Sequence, residues 1–136
     1  MSWDKFISKM EIEDKITGET VNFAKEFGEY LAKEEDNEAP LTTSQLRKFF
    51  GDVKRQQMMG YDSTSFVMLK PKLAYAVGRA RQKGKKGYYQ KIEDFYKVLS
   101  KAIDMVEACA NKEKAFKNFI TAFEAIVAYH KSYENN

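Results

Sequence analysis

The chain has 136 residues, of which 43% are hydrophobic and 14% aromatic, so it is long and apolar enough to bury one core and is not a disordered chain. Seven glycines and two prolines are too few for a turn-rich all-β protein, and one cysteine excludes an intramolecular disulfide. The net charge of +3 conceals acidic ends and a strongly basic middle. We expect residues 1–136 to form a single all-α domain.

The N-terminal third is acidic, with 5 basic and 11 acidic residues in residues 1–40. Residues 1–19 have a weak pattern, and we expect a loosely attached extension whose apolar side chains dock on the body or on a neighbour. Residues 20–33 predict a helix, and residues 34–40 (EEDNEAP) predict an acidic linker. Because the basic segment follows directly, one hypothesis is that this acidic third shields it.

The basic segment, residues 41–91, holds 12 basic and 2 acidic residues. Its first helix has the clearest start signal in the chain, because Thr42 and Gln45 have the spacing of a capping box. Leu46, Phe49 and Val53 then follow a helical period. Two pairs of basic residues belong to the same helix: Arg47 and Lys54 beside the apolar stripe, and Lys48 and Arg55 farther round on the exposed side.

A second apolar face runs through residues 66–80 and crosses Pro71. Proline is tolerated in a first turn but kinks a helix interior, so either one helix ends near Leu69 and another begins at Pro71, or one helix bends there. Lys72, Arg79 and Lys83 lie on one flank of this face. Two long amphipathic helices close the chain, the second capped by Asn111, which gives a compact bundle of about five helices.

The basic stretch, residues 70–91, holds eight basic residues and no acid. Such a density of like charge indicates a polyanion, and arginine and lysine side chains beside an apolar face are typical of a phosphate clamp. Tyr75, Tyr88 or Tyr89 can stack on bases or pack against sugars. No base-reading motif is present, so we expect backbone recognition without sequence preference.

Three other interpretations of the basic residues stay open: a solvated basic face, a helical interaction module that docks on an acidic protein, and a protein that binds duplex DNA. The first is less favoured, because a solvated face usually mixes charges of both signs. A helical protein of this size that clamps a backbone often works in several copies. We expect four apolar residues to remain exposed for a protein interface: Met58, Met59, Tyr61 and Phe66.

Several classes of function are excluded by the residues that the chain lacks. With one histidine and one cysteine, neither a zinc site nor a nucleophilic triad can be assembled, and His130 follows the apolar side of the last helix as a core residue. No phosphate-loop motif is present, and the basic segment contains only Asp52 and Asp62, too few for the carboxylate cluster of a metal-dependent nuclease. No apolar run approaches the length of about 20 residues that a membrane span needs. We predict no enzymatic activity and no cofactor, in a soluble, cytoplasmic protein without membrane contacts.

Three blocks of the sequence carry a family resemblance. They are LTTSQLRKF at residues 41–49, LKPKLAYAVGR at residues 69–79 and FITAFEAIVAYHK at residues 119–131. In this order they resemble the small subunit of type III-A CRISPR effector (Csm) complexes, and the middle block is the most specific. Residues 1–40 match nothing in that family, so we expect the acidic extension to be particular to this chain.

The resemblance implies an all-helical, non-catalytic subunit that stacks in several copies along the guide RNA and its paired target RNA. It also implies contacts with the backbone and large subunits, to which target cleavage and signalling chemistry belong. By motif position, the resemblance transfers RNA-backbone contacts to Arg47, Lys48, Lys72 and Arg79, whereas the remaining cations rest on the helical-face argument alone. The full set of predicted RNA-binding residues is Arg47, Lys48, Lys54, Arg55, Lys72, Tyr75, Arg79, Arg81 and Lys83.

Overall fold

The computed structural model describes residue 3 and residues 11–35, 38–83 and 89–134. These ranges contain six helices and no β-strand, only an isolated bridge between Glu35 and Glu38. Five of the helices have 15 or more residues and one has five, which confirms the prediction of an all-α fold. The helices are α1 (Gly18–Ala32), α2 (Thr43–Met59), α3 (Ser63–Val67), α4 (Leu69–Lys83), α5 (Gln90–Ala108) and α6 (Lys112–Glu134).

Side-chain caps fix where the helices begin. The predicted capping box is present at α2: the Thr42 hydroxyl accepts from the Gln45 backbone N–H at 3.1 Å, and Gln45 Oε1 accepts from the Thr42 N–H at 2.8 Å. The predicted cap of α6 is also present, because Asn111 Oδ1 accepts from the Lys114 N–H at 3.1 Å. Helix α1 begins at Gly18, two residues before the predicted start, because Thr17 forms a capping box there.

The helical face that crosses Pro71 is broken into two helices. Asp62 caps α3 by accepting from the Ser65 N–H at 2.9 Å, and the chain turns at Met68 before α4 begins at Leu69. Pro71 therefore lies in the first turn of α4, where its missing N–H leaves no hydrogen bond unmade. The structure therefore confirms two separate helices here and not one bent helix, with the break at Met68.

One continuous apolar core joins the six helices. Its centre is aromatic, with the Phe95 and Phe119 rings 5.9 Å and 6.1 Å from the ring of Phe123. Helix α1 lies along α6 at close range, since a Cβ built on Gly28 would be 2.7 Å from the Ile126 carbonyl oxygen. Only a glycine at this position permits so close a helix–helix approach.

The described residues before α1 are docked on the body. Trp3 packs on Phe27 and Tyr30, with ring centroids 4.9 Å and 5.0 Å apart. Ile12 is fully buried, and the Asn118 side-chain amide donates to its carbonyl at 3.0 Å. The other apolar residues of the predicted extension, Phe6, Ile7 and Met10, lie outside the described residues.

The predicted set of exposed apolar residues is only half right. Met58 and Met59 at the end of α2 are 87% and 82% exposed. Phe66, by contrast, is fully buried. Its ring packs against the rings of Phe116 and Phe119, at centroid distances of 5.2 Å and 5.1 Å. Tyr61 packs on the same cluster and donates its hydroxyl to Glu107, so it is not available to a partner either.

His130 is a core residue, as predicted. It is buried, and its Nε2 is paired with the backbone carbonyl oxygen of Leu41, so the ring ties the segment before α2 to α6. A carbonyl oxygen only accepts, which requires the proton on Nε2. Among the helices that the structure describes, none is long and apolar enough to cross a membrane.

Candidate nucleic-acid interface

A groove of about 690 Å³ lies between α2 and α4. Its volume is within the range of about 300–1,000 Å³ that ligand sites occupy. The groove is lined by Gln45, Lys48, Phe49 and Asp52 of α2 and by Pro71, Lys72, Tyr75, Ala76, Arg79, Ala80 and Lys83 of α4.

Helical spacing explains why these residues meet. On α4, Leu69, Leu73 and Val77 are buried in the core, so the adjacent flank of the helix faces the groove. That flank carries residues 72, 76, 79 and 83 at successive turns. On α2, residues 45, 48, 49 and 52 follow the same period beside the buried stripe. The groove therefore lies directly beside the buried apolar stripes of both helices.

Cations form the rim of the groove. Lys48, Lys72, Arg79 and Lys83 all line it and are all exposed. Lys72 has a carboxylate partner, with its Nζ 3.6 Å from Asp52 Oδ2. Within the described ranges, the other three form no ion pair with a protein carboxylate. Their charge is thus available to an anion.

Asp52 is the acid among the described residues that line the groove. Its side chain is 18% exposed and also accepts from the Arg55 guanidinium at 3.0 Å, along the same helix. Arg55 therefore pairs with a residue that lines the groove but does not line the groove itself. The rim has four positive charges against this one negative charge.

Tyr75 stands at the mouth of the groove, 67% exposed. The guanidinium carbon of Arg79, one helical turn later, is 6.0 Å from the centroid of its ring. Such a cation–π contact orients the arginine over the ring without burying either group. Phe49, Ala76 and Ala80 supply the apolar surface beneath.

The family comparison agrees with the blocks singled out in the sequence. The model of the Csm2 type III-A family matches residues 14–136. The chain belongs to the Csm2 family. Members of this family are small subunits of type III-A CRISPR complexes, and the match covers nearly the whole chain. Neither a curated protein nor a solved structure gave a match.

The Csm2 match also corrects the prediction for the acidic third. Residues 14–40 lie inside the matched range, so they belong to the family and are not an extension particular to this chain. The sequence offered no block there specific enough to show this. Among the described residues, Glu35 with Lys91 is the one ion pair that joins the acidic third to the basic segment, and the groove is lined by neither α1 nor the residues before it.

Two of the predicted cations of this Csm2-family chain lie on the other flank of α2. Lys54 reaches across to α6, with its Nζ 3.6 Å from Glu124 Oε1 and 5.7 Å from the Phe50 ring centroid. Arg47, seven residues earlier, lies on the same side of the helix and is exposed. The structure therefore does not bring Arg47 and Lys54 together with the groove. Lys48, which the helical projection put on the exposed back, does line it, because the groove between α2 and α4 lies on that side of α2.

Acids from other segments neutralise part of the basic stretch. Lys70 pairs with Asp104 at 2.7 Å, and Arg81 pairs with Glu93 of α5 while its guanidinium lies 5.5 Å from the Tyr89 ring centroid. The absence of acids within residues 70–91 therefore does not leave all of their charge unpaired. The predicted residue Arg81 faces α5 instead of the groove. Lys85, Lys86 and Tyr88 lie outside the described residues.

Within the basic stretch, Lys91 differs most from the expectation that these cations meet a polyanion, because it is 0% exposed. Its ammonium group donates to Glu35 at 2.9 Å and to the Tyr30 carbonyl at 2.8 Å, and it lies 3.6 Å from the Tyr30 ring centroid. The hydrogen bond from Lys91 lowers the pKa of Glu35. Burial, followed by the hydrogen bond to Asp94, raises the pKa of Tyr30. This cation holds the fold together and is closed to any ligand.

Proposed function

We propose that this Csm2-family chain is a non-catalytic subunit that binds RNA by clamping the sugar-phosphate backbone along the α2–α4 groove. The observation that carries the proposal is the row of exposed cations on the groove rim: Lys48, Lys72, Arg79 and Lys83. Lysine binds phosphate as a point charge and arginine through two N–H groups, and neither contact depends on the base. Recognition of the backbone is therefore largely independent of sequence.

The row of cations on α4 extends far enough along the helix to follow an RNA strand. Lys72 and Lys83 are 11 residues apart on one helix, which is about 16 Å at 1.5 Å per residue. Lys48 faces them from α2 across the groove. Cations on both sides of a groove hold a flexible strand in one path, whereas a flat basic face leaves the path open.

The ligands that fit this proposal are the guide RNA and its target RNA in the type III-A complex, in the cytoplasm. Several copies would lie side by side along the strand, next to the backbone and large subunits. The exposed Met58 and Met59 support a protein contact at the end of α2, since flexible thioether side chains suit such interfaces. The absence of catalysis rests on the family and on His130, whose ring nitrogen is already bound to the Leu41 carbonyl.

The test compares two pairs of substitutions that remove the same charge. Lys72→Ala with Arg79→Ala strips the groove, and Lys114→Ala with Lys117→Ala strips an exposed face of α6. Binding of a mixed-sequence single-stranded RNA of about 40 nucleotides is measured by fluorescence anisotropy across a salt titration. On a single strand, each lost phosphate contact removes about 0.7 from the slope of log K against log salt, so the groove pair should lose about 25-fold in affinity at about 0.1 M salt.

The α6 pair should lose no more than a few-fold and keep the slope of the unmodified protein. Equal losses from both pairs would mean that RNA responds only to net charge and would contradict the clamp. If the unmodified protein retains an acidic protein partner but no RNA, the basic groove docks on protein instead.

A further inference from the structure

The interior of the groove differs chemically from its rim. Phe49, Pro71, Ala76 and Ala80 give it an apolar lining, while the ammonium and guanidinium groups surround the opening. A phosphate clamp needs only the cations, because phosphate oxygens are strongly hydrated and gain nothing from apolar walls. The lining therefore indicates a second part of the ligand, one with an apolar face.

Asp52 places a hydrogen-bond acceptor in the same interior. Its carboxylate lies on the groove wall, is 18% exposed, and is paired with the Arg55 guanidinium at 3.0 Å and the Lys72 ammonium group at 3.6 Å. A phosphate oxygen can only accept at neutral pH and finds no donor in a carboxylate. A neutral group with an N–H donor would instead find an acceptor there, since each carboxylate oxygen accepts more than one hydrogen bond.

Tyr75 adds a stacking surface at the mouth of the groove. Its ring is 67% exposed, and the Arg79 guanidinium 6.0 Å from the ring centroid lies beside it. Aromatic rings in grooves of this kind stack on the bases of single strands, and arginine contributes to the same contact. A nucleobase has an apolar face for the ring and the lining, and a polar edge for Asp52.

We infer that the α2–α4 groove holds one unstacked base of the bound RNA, stacked on Tyr75, while the rim cations grip the phosphates on either side. Asp52 accepts a hydrogen bond from an exocyclic amino group of that base. Cytosine presents an N4 amino donor to such a carboxylate, whereas uracil presents a carbonyl oxygen in its place. The inference rests on the proposed RNA binding and adds to it a preference at a single base, with cytosine favoured over uracil.

The probes are three single strands of about 12 nucleotides that carry the same charge: an oligocytidylate, an oligouridylate and an abasic ribose-phosphate strand. Stacking on one aromatic side chain is worth about 5- to 150-fold in affinity. We expect the unmodified protein to bind the abasic strand about tenfold more weakly than oligouridylate and about 50-fold more weakly than oligocytidylate, with the same salt slope. Tyr75→Ala should lose about tenfold on both base-bearing strands and nothing on the abasic strand.

Three further variants separate the roles. Tyr75→Phe keeps the ring and should bind as the unmodified protein does, and Tyr133→Ala removes an exposed tyrosine of α6 and should change nothing. Asp52→Asn should tighten binding of all three strands by removing a negative charge, but the roughly fivefold preference for cytosine over uracil should disappear. Thermal unfolding of each variant confirms that its fold is intact.

The outcomes distinguish the base pocket from the backbone clamp. If all three strands bind equally with a steep salt slope and Tyr75→Ala changes nothing, the base pocket is wrong and the clamp stands. If Tyr75→Ala weakens the abasic strand as much as the others, Tyr75 shapes the backbone path and no base enters the groove. If the unmodified protein binds none of the strands at low salt, the proposed function fails and the base pocket fails with it.

Discussion

The α1–α6 seam and the α2–α4 groove are both formed by pairs of helices, but α1 and α6 are closely packed, whereas α2 and α4 are separated by the groove. At the seam, Gly28 brings α1 so close to α6 that an added Cβ would lie 2.7 Å from the Ile126 carbonyl oxygen. Between α2 and α4, by contrast, a groove of about 690 Å³ stays open. Gly51 and Gly78, which lie on these two helices outside the groove lining, have no atom within 4 Å of the same added Cβ. One helix pair is closed by packing, and the other leaves a surface that a ligand can reach.

The cations follow the same division. Lys91, at the start of α5, is fully enclosed against α1, where its ammonium group donates to Glu35 and to the Tyr30 carbonyl. Arg79 and Lys83, from the same basic stretch, are exposed on the groove. Density of charge in the sequence therefore does not distinguish a cation that holds the fold from one that meets a ligand. Burial and the distance to the nearest carboxylate make that distinction.

The largest effects on the free energy of unfolding are expected from adding a methyl group at Gly28 in the α1–α6 seam and at Gly78 in α4. Gly28→Ala forces α1 away from α6 and should lower the free energy of unfolding by about 3 kcal/mol, as overpacking of a tight contact does. Gly78→Ala meets open space within α4 and should raise it by about 1 kcal/mol, because alanine favours a helix more than glycine. Chemical denaturation of both variants measures the difference. Equal effects at the two positions would contradict the close approach of α1 and α6 at Gly28.

A smaller, pH-dependent effect is expected at the ion pair between buried Lys91 and partly exposed Glu35. Lys91 holds the pKa of Glu35 below its ordinary value of 4.5, so the pair stabilises the fold at neutral pH and this contribution is lost as the pH falls below that value. Glu35→Gln should therefore lower the free energy of unfolding by about 1.5 kcal/mol near pH 7 and by much less near pH 3; this is the low end for a hydrogen bond to a charged group, because the Glu35 side chain is 37% exposed and screened by water. Urea denaturation at both pH values measures the change.

The control for this prediction is the exposed pair of Lys70 and Asp104 on α4 and α5. Asp104→Asn should change the free energy of unfolding by less than about 1 kcal/mol at either pH, since exposed ion pairs contribute little. A Glu35→Gln variant no less stable than the control at neutral pH would show that Lys91 is held by packing alone.

Local chemistry made the helices predictable from the sequence. The Thr42–Gln45 capping box and the Asn111 cap depend on residues three apart, so spacing alone locates them. Helix α1 was predicted two residues short because the Thr17 cap was not recognised. The all-α class could be predicted because apolar residues recur at helical spacing wherever one side of a helix faces the core.

The site was harder to predict, because it depends on which helices become neighbours. Lys48 lines the groove only because the groove between α2 and α4 lies on its side of α2, and nothing within α2 indicates this. Lys91 is buried by Glu35, which is 56 residues away in the chain. Phe66 likewise enters the core through Phe116 and Phe119 of α6. In each case the deciding partner is distant in sequence, beyond the reach of a local pattern.

The most direct measurement is a lysine-reactivity footprint of the full chain with and without single-stranded RNA, read by mass spectrometry. RNA in the groove should protect Lys48, Lys72 and Lys83 and leave the exposed α6 lysines 114 and 117 unchanged. Lys91 should be unreactive in both states, because it is buried whether or not RNA is bound. Equal protection of the α6 and groove lysines, or reactive groove lysines in an RNA-saturated sample, would contradict the groove as the RNA-binding surface.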